Sequence, residues 1–191
     1  LERGNFIVCL VPKIDTETER VAEAEAVVRY HHKDLGIVDP GRYINLLEET
    51  KLSHYLDLYV FEEVCKTLHR WEISGIPLIP VAVNFAGATL KQESIAEKML
   101  HLIEKYHVRC EYLEVEVSES GNDMNQEMLA ETSSKIRKAN VRVILDHFGA
   151  KDSSFSILSL MEFDGLKLDK SLITNIVGNA RSRIVAQAVI D

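Results

Sequence analysis

Short apolar runs alternate with amphipathic stretches along most of the chain. The segment 53–75 has apolar residues every three or four positions, which predicts a helix. Segment 113–118 alternates strictly between apolar and polar residues, and 141–146 is mostly apolar, so both are predicted strands. After an opening hairpin formed by 6–11 and 21–29, strand and helix take turns. This alternation is typical of parallel βα units.

The other elements follow the same pattern and complete a predicted α/β fold. The predicted strands are 6–11, 21–29, 78–84, 113–118, 141–146 and 166–169. The predicted helices are 39–49, 53–75, 90–106, 122–139, 153–161 and a last one from residue 180. Because a short polar turn joins the first two strands, we expect the first strand to run antiparallel to the second.

Five apolar runs end on polar or charged residues. These residues are Glu25, Asn84, Glu116, Asp146 and the pair Lys167 and Asp169. In a barrel of parallel strands, the carboxyl ends of the strands converge, so side chains distant in sequence can meet around one ligand. Carboxylate and amide oxygens suit hard divalent cations. The pattern therefore predicts metal-assisted phosphoryl chemistry.

Composition and charge narrow the class of protein. Of 191 residues, 46% are hydrophobic and 27% charged, as in an ordinary globular domain. The formal net charge of -8 disfavours binding to DNA, which needs a basic surface. No apolar run approaches the roughly 18 residues of a membrane span, so we expect no membrane contact. Three cysteines without metal-type spacing fit a reducing, cytoplasmic compartment, and we expect them in the core.

The strand-end residues lie in motifs that resemble those of EAL domains, the cyclic-di-GMP phosphodiesterases. Glu25-Ala26-Val27-Val28-Arg29 resembles the signature that names the family, with valine in place of leucine. The other matching blocks keep the family's order and are Gly36-Ile37-Val38-Asp39-Pro40, Val83-Asn84, Glu116-Val117-Ser118-Glu119-Ser120, Asp146-His147-Phe148-Gly149 and Lys167-Leu168-Asp169-Lys170-Ser171. The resemblance covers nearly the whole chain.

The resemblance implies a TIM-type (β/α) barrel that cleaves cyclic-di-GMP to linear pGpG with Mg²⁺ or Mn²⁺. The positions that match the family's site are Glu25, Asn84, Glu116, Asp146, His147 and Asp169 for metal, Lys167 and Glu119 for catalysis, and Arg29 for a substrate phosphate. The resemblance also implies a homodimer and a possible flanking GGDEF or sensory domain.

Three departures from the family pattern favour weak or absent hydrolysis. His147 replaces the second aspartate of the family's DDFG segment, and a neutral imidazole prefers softer ions than Mg²⁺. The segment 150–152 replaces the usual Thr-Gly-Tyr, and the missing glycine stiffens that loop. Val11 stands where the family has a glutamine.

The length predicts a single EAL-like domain over 1–191 that stops before the last strands. A complete (β/α)₈ barrel has about 250 residues, with about 200 near the lower limit. The family carries another glutamate and its last strand beyond the final residue of this chain. We therefore expect an open or swapped barrel, with the last βα units missing.

Several assignments have simpler alternatives. Glu25 alternates with Glu23, which is common on a solvated edge strand, and Asn84 could cap the next element. Glu114 lies on the same face as Glu116, and Arg29 could pair with a surface acid. For the whole chain, the alternative to a phosphodiesterase is a degenerate module that binds cyclic-di-GMP or a protein partner without catalysis. A third hypothesis is an unrelated metal enzyme that uses Lys167 as a base on a carbon acid.

Overall fold

The computed structural model describes residues 5–38, 40–118, 126–150, 156–174 and 176–190. The strands are β1 (Phe6–Ile14), β2 (Val21–His32), β3 (Gly36–Val38), β4 (Val81–Ala86), β5 (Leu113–Ser118), β6 (Arg142–Phe148) and β7 (Gly165–Leu168). The helices are α1 (Ile44–Glu49), α2 (Ser53–Ile73), α3 (Gly87–Leu90), α4 (Ile95–Lys105), α5 (Gln126–Lys138), α6 (Ser156–Leu160), α7 (Lys170–Ile173) and α8 (Ala180–Ile190).

The described strands form one mixed sheet in which most neighbours are parallel. Their order is β1-β2-β4-β5-β6-β7, and β3 pairs with β2 beside this path. β1 is antiparallel to β2, as predicted, and the pairs from β2 to β7 are parallel. The α/β fold is confirmed, and its mostly parallel sheet with helical crossovers is consistent with a TIM-type fold.

The core lies between the sheet and the helices. Alternate residues of β4, such as Val83 and Phe85, are buried with apolar residues of α2. The rings of Phe61 and Phe85 are 5.8 Å apart at their centroids and meet edge to face. Burial of one such side chain stabilises the fold by about 1.5–3 kcal/mol. Since these residues fill one face of the sheet, the residues between them project from the opposite face.

Some element boundaries differ from the predicted ones for local reasons. The predicted helix 90–106 is interrupted between α3 and α4, where Ser94 has a left-handed φ of 61°. β4 begins at Val81 rather than at residue 78, because Pro80 has no N–H to donate; its carbonyl instead accepts from Ala24 N at 2.9 Å. The predicted helix 39–49 is a 3₁₀ turn followed by α1, and Asp39 lies outside the described residues. β3 was not predicted.

The expected burial of the cysteines is correct for Cys65 and wrong for Cys9. Cys65 is buried on the inner side of α2, whereas Cys9 is exposed and Cys110 is half-buried. Cys9 shares a face of β1 with the exposed Ile7 and Val11. β1 is the end strand of the described sheet, so this edge has no described strand beside it.

Candidate functional site

Parallel pairing brings the predicted strand-end residues to one edge of the sheet. In the register of β4 and β5, Asn84 lies opposite Glu116, and in that of β5 and β6, Ser118 lies opposite Asp146. Asn84 Nδ2 donates a hydrogen bond to Glu25 Oε1 at 2.8 Å, which links β4 to β2. Four consecutive parallel strands therefore present oxygen-bearing side chains at the same end.

Lys167 lies at the centre of this group. Its ammonium donates to Glu25 Oε2 at 2.8 Å and to Glu116 Oε2 at 2.7 Å, and it lies 3.7 Å from Asp146 Oδ1. The side chain of Glu116 is 0% exposed and that of Asp146 is 7% exposed. Buried carboxylates need a positive partner, because transfer of an unpaired charge out of water is costly. Lys167 supplies that partner to three strands at once.

The charged residues around Lys167 form an upper layer at the carboxyl ends of the strands. A second, lower layer of charged residues lies on the side away from those ends. Lys13 of β1 donates to Glu116 Oε1 at 3.1 Å and to Glu114 Oε2 at 3.2 Å. Arg142 pairs with Glu114 and, at 2.9 Å, with Glu23. Because Glu114 and Glu116 are two residues apart on β5, both project from the face of the sheet opposite the helices. Glu116 joins the two layers through its two oxygens.

The charges in this cluster shift one another's pKa values. Burial alone would raise the pKa of Glu25, but hydrogen bonds from Lys167 and Asn84 outweigh it and hold the pKa below its ordinary value. Burial works against the charged form of Lys167, yet its bonds to Glu116 and Glu25 raise its pKa above the ordinary range. For Glu114, burial prevails and raises the pKa. Lys167 therefore stays an ammonium at neutral pH.

The oxygen donors around Lys167 are of the chemical types that suit a hard divalent cation. Contacts connect a network whose acids are Glu23, Glu25, Glu114, Glu116, Asp146 and Asp169, and whose permanent cations are Lys13, Arg142 and Lys167. Carboxylates outnumber cations, and oxygen donors suit Mg²⁺ and Mn²⁺. As the side chains stand, no three His, Cys, Asp or Glu residues of the described ranges could hold an ion. The Lys167 ammonium takes up the place between the carboxylates.

His147 lies beside this cluster on a strained backbone. Its Nδ1 is 3.2 Å from Asp169 Oδ2, and its Nε2 is 3.4 Å from Asp146 Oδ2. The φ of His147 is 56°, a left-handed value that aspartate and asparagine also tolerate. Asp169 caps α7 by accepting from Ser171 N at 2.8 Å. Hydrogen bonds from the side chain and the backbone of Ser171, and then the contact with His147, lower its pKa to about 2.

A cavity of about 400 Å³ adjoins the cluster. Its polar walls include Arg29, Asn84, Asp146 and His147, and its apolar walls include Leu47 and Leu56. Cavities of this size with a few polar groups among apolar ones are typical small-molecule sites. Arg29 Nη1 donates to the carbonyl of Val28 at 3.0 Å, and no ion pair between Arg29 and an acid is observed among the described residues.

Comparison with known proteins identifies the family. A family model described as EAL domain matches residues 1–191. The chain belongs to the EAL domain family. The cyclic di-GMP phosphodiesterase NbdA of Pseudomonas aeruginosa is 31% identical over 170 residues, which are 89% of this chain and 22% of NbdA. The chain spans between 22% and 30% of the length of three curated relatives, namely NbdA, the cyclic di-GMP phosphodiesterase PA2567 of Pseudomonas aeruginosa and the signaling protein YkoW of Bacillus subtilis.

Solved structures support the EAL fold. The phosphodiesterase PaMucR in complex with c-di-GMP has a TM-score of 0.88 at 21% identity, over 99% of this chain and 76% of that one. The EAL enzyme Bd1971 in its form bound to cAMP and cyclic-di-GMP has a TM-score of 0.89 at 18% identity, over 99% of this chain and 52% of that one. At these identities the likeness shows the fold alone.

The EAL domain brings most of the predicted site residues together. The residues joined by contacts are Glu25, Asn84, Glu116, Asp146, His147, Lys167 and Asp169, and Arg29 lines the adjoining cavity. The alternative of a solvated edge for Glu25 is wrong, since β2 lies between β1 and β4. Three residues named in the sequence analysis lie outside the described residues. They are Glu119 and, in the segment that departs from the family pattern, Lys151 and Asp152. The catalytic and ligand roles stay predictions.

The sequence did not reveal the lower layer. Lys13, Glu23 and Arg142 carry no motif, and Glu114 was seen only as a competitor of Glu116. The signal that could have found Glu114 is the strict alternation of β5, because it places both glutamates on one face. Val11, another departure from the family, lies opposite Glu25 in the hairpin register and gives the site an apolar edge.

Asp57 on the cavity wall is expected to make stability depend on pH. Burial raises its pKa to about 6, although Thr89 Oγ1 and Ala86 N donate to its Oδ2 at 2.6 and 3.1 Å. The folded protein therefore holds this proton more tightly than the unfolded chain, whose pKa is near 3.8, and stability falls as pH rises through this window. Asp57→Asn should be more stable than wild type by about 2 kcal/mol at pH 8 and nearly equal at pH 4.

Denaturant unfolding of both proteins at pH 4, 6 and 8 measures this difference. Asp34→Asn, at an exposed position, is the control and should show no comparable trend. A difference between Asp57→Asn and wild type that stays constant over this pH range would contradict the prediction.

Proposed function

We propose that this EAL domain binds cyclic-di-GMP at the carboxyl ends of its parallel strands. With Mg²⁺ or Mn²⁺ it slowly hydrolyses one phosphodiester bond of this ligand, and the product is pGpG. The observation that carries the proposal is the position of the Lys167 ammonium among Glu25, Glu116 and Asp146, beside a cavity that Arg29 lines. The acidic cluster already surrounds one positive charge, the Lys167 ammonium, and the cavity beside it has space for a ligand. This arrangement supports cation-assisted binding of a phosphodiester.

Glu25, Asn84, Glu116 and Asp146 would hold the cation through their oxygens. When bound, a divalent cation supplies Lewis acidity that activates water at neutral pH and offsets the negative charge of the phosphate. Asn84 donates its N–H to Glu25 and so leaves its carbonyl oxygen for a ligand. Because β2, β4, β5 and β6 are neighbours in this order, the four proposed ligands also follow one another in this order along the edge of the sheet.

Lys167 and Arg29 would act on the substrate. The raised pKa of Lys167 keeps it charged, so it donates hydrogen bonds and cannot accept a proton at neutral pH. This property supports a role in steadying negative charge on the phosphate and orienting water, and it disfavours the hypothesis of a lysine base acting on a carbon acid. Arg29 presents a planar, permanently charged group that suits phosphate oxygens.

His147 is the reason for proposing slow turnover. It stands between Asp146 and Asp169, where the family has an aspartate, and it replaces a negative ligand with an imidazole. A second Mg²⁺ would be held more weakly there. The same observation favours a second candidate function, a module that binds cyclic-di-GMP without cleaving it. A homodimer, a flanking GGDEF or sensory domain and a cytoplasmic location stay predictions.

Incubation of the chain with cyclic-di-GMP and Mn²⁺, followed by chromatography for pGpG, tests the proposal. Slow, Mn²⁺-dependent formation of pGpG that EDTA stops is the expected result. Binding measured by calorimetry in Ca²⁺ without any product in Mn²⁺ would favour the second candidate. Absence of both binding and product would overturn both functions.

His147→Asp is expected to increase the rate of pGpG formation about 10- to 100-fold. The substitution restores a carboxylate between Asp146 and Asp169, and aspartate tolerates the left-handed φ at this position. Steady-state kinetics at several Mg²⁺ concentrations measure the gain, which should be largest at low Mg²⁺.

His147→Asn is the matched control for this change. Asparagine has the size and backbone tolerance of aspartate but no charge, so it should leave the rate near that of wild type. Equal gains from both variants would assign the effect to the backbone instead of the carboxylate.

A further inference from the structure

Lys13, in the lower charged layer, contacts the carboxylate cluster that surrounds Lys167. β1 is antiparallel to β2, and Lys13 lies opposite Glu23, two residues before Glu25 on β2. Its ammonium contacts Glu23 at 3.4 Å, Glu114 at 3.2 Å and Glu116 at 3.1 Å. Lys13 thus lies on the side of Glu116 that faces away from the carboxyl ends of the parallel strands.

The two oxygens of Glu116 are divided between two lysines. Lys13 donates to Oε1, and Lys167 donates to Oε2. The side chain of Glu116 is 0% exposed, so it has no solvent partner to exchange with. Lys13 is itself held by Glu114, which is also buried. The Oε1 contact is therefore a fixed part of the fold, and Oε2 is the oxygen that faces the other proposed ligands.

We propose that Lys13 is a positioning residue that sets which divalent cations this site accepts. By occupying Oε1, it fixes the orientation of the Glu116 carboxylate and leaves only Oε2, which a cation would take over from Lys167. The inference rests on the proposed function, because it concerns the same cation site. No sequence motif assigns Lys13 to it.

The expected selectivity follows from the different coordination numbers and geometries that Ca²⁺ and Mg²⁺ require. Ca²⁺ takes six to eight oxygens and often uses both oxygens of one carboxylate, whereas Mg²⁺ is smaller and requires near-octahedral geometry. A glutamate with one oxygen already bonded supplies fewer donors, which penalises Ca²⁺ more than Mg²⁺. Loss of the Lys13 ammonium frees Oε1 and lets the carboxylate turn, so the site should become more tolerant of Ca²⁺.

The test compares the dissociation constants of Mg²⁺ and Ca²⁺, each added alone, for wild type and Lys13→Met by isothermal titration calorimetry. Methionine keeps an unbranched side chain and removes the charge. The ratio of the two constants should shift towards Ca²⁺ by about tenfold, the lower end of the effect of outer partners on metal affinity. An unchanged ratio in a folded Lys13→Met variant would overturn the inference.

Two further variants keep the test decisive. Glu114→Gln disturbs the same charge cluster but leaves Lys13 on Glu116, so its ratio should stay within about twofold of wild type. If Lys13→Met does not fold, the double variant Lys13→Met/Glu114→Gln removes one charge of each sign and should show the same tenfold shift. A shift equally large in Glu114→Gln alone would also overturn the inference.

The experiment separates this inference from the proposed function. If wild type binds neither ion, the cation site is absent, and both are overturned. If wild type binds Mg²⁺ and the ratio does not respond to Lys13→Met, the proposed function stands and the positioning role of Lys13 fails.

Discussion

Glu116→Gln is expected to remove most divalent cation binding from this EAL domain. The carboxylate of Glu116 accepts from two ammonium groups and is 0% exposed, so an amide in its place would turn its N–H₂ group towards one of them. We expect the affinity for Mn²⁺ to fall about 100-fold and the rate of pGpG formation to fall about 1,000-fold. Calorimetry with Mn²⁺ and steady-state kinetics measure the two effects.

The folded state should also suffer from this substitution. Removal of one partner from a fully buried ion pair costs about 3–5 kcal/mol. The loss here should lie at the lower end, because the side chains of Lys13 and Lys167 are 29% and 35% exposed and keep other carboxylate partners. Glu114→Gln is the matched control, since Glu114 is equally buried on β5 and contacts Lys13 but not Lys167. It should retain Mn²⁺ binding. Wild-type affinity for Mn²⁺ in a folded Glu116→Gln variant would contradict the assignment of Glu116 as a ligand.

The upper layer of the site was predictable from the sequence because it depends on short-range rules. An apolar run that ends on Asp146 or Asn84 indicates a strand end, and parallel βα units bring such ends together. Alternation on β5 then fixes the face of Glu116. None of these steps requires knowledge of which strands are neighbours.

The lower layer was not predictable, because it depends on long-range register. Lys13 meets Glu114 and Glu116 across 101 and 103 residues of sequence. This meeting requires the exact pairing of the opening hairpin, whose register shifts between Lys13 and Ile14. A displacement of one residue would turn Lys13 to the helix-covered face of the sheet. Sequence patterns predict the existence of a hairpin much better than its register.

The predicted element boundaries were wrong where a single residue changed the direction of the backbone. Ser94 takes a left-handed conformation between α3 and α4, although the apolar pattern of 90–106 continues across it. Periodicity records which face is apolar, and both short helices keep that face towards the core. The pattern therefore predicted burial correctly and continuity wrongly.

Lys167→Met is expected to separate cation binding from catalysis. The Lys167 ammonium lies among Glu25, Glu116 and Asp146 and competes with any divalent cation for their oxygens. Its removal should raise the affinity for Mn²⁺ about tenfold, because the carboxylates lose their internal counter-ion. The rate of pGpG formation should fall about 1,000-fold, since the group that steadies charge on the phosphate is gone.

Stability without a bound cation should respond in the opposite direction to cation affinity. Without Mn²⁺, Lys167→Met takes the ammonium away from Glu25, Glu116 and Asp146 and should lose about 3 kcal/mol of folding free energy. Saturating Mn²⁺ should restore most of this loss, because the ion binds only the folded chain. Thermal unfolding with and without Mn²⁺ measures both values, and Lys66→Met, which removes a surface lysine paired with Glu63, should show neither effect. Weaker Mn²⁺ binding in Lys167→Met would mean that the ammonium helps to build the cation site. In that case the predicted competition between Lys167 and the cation would be wrong.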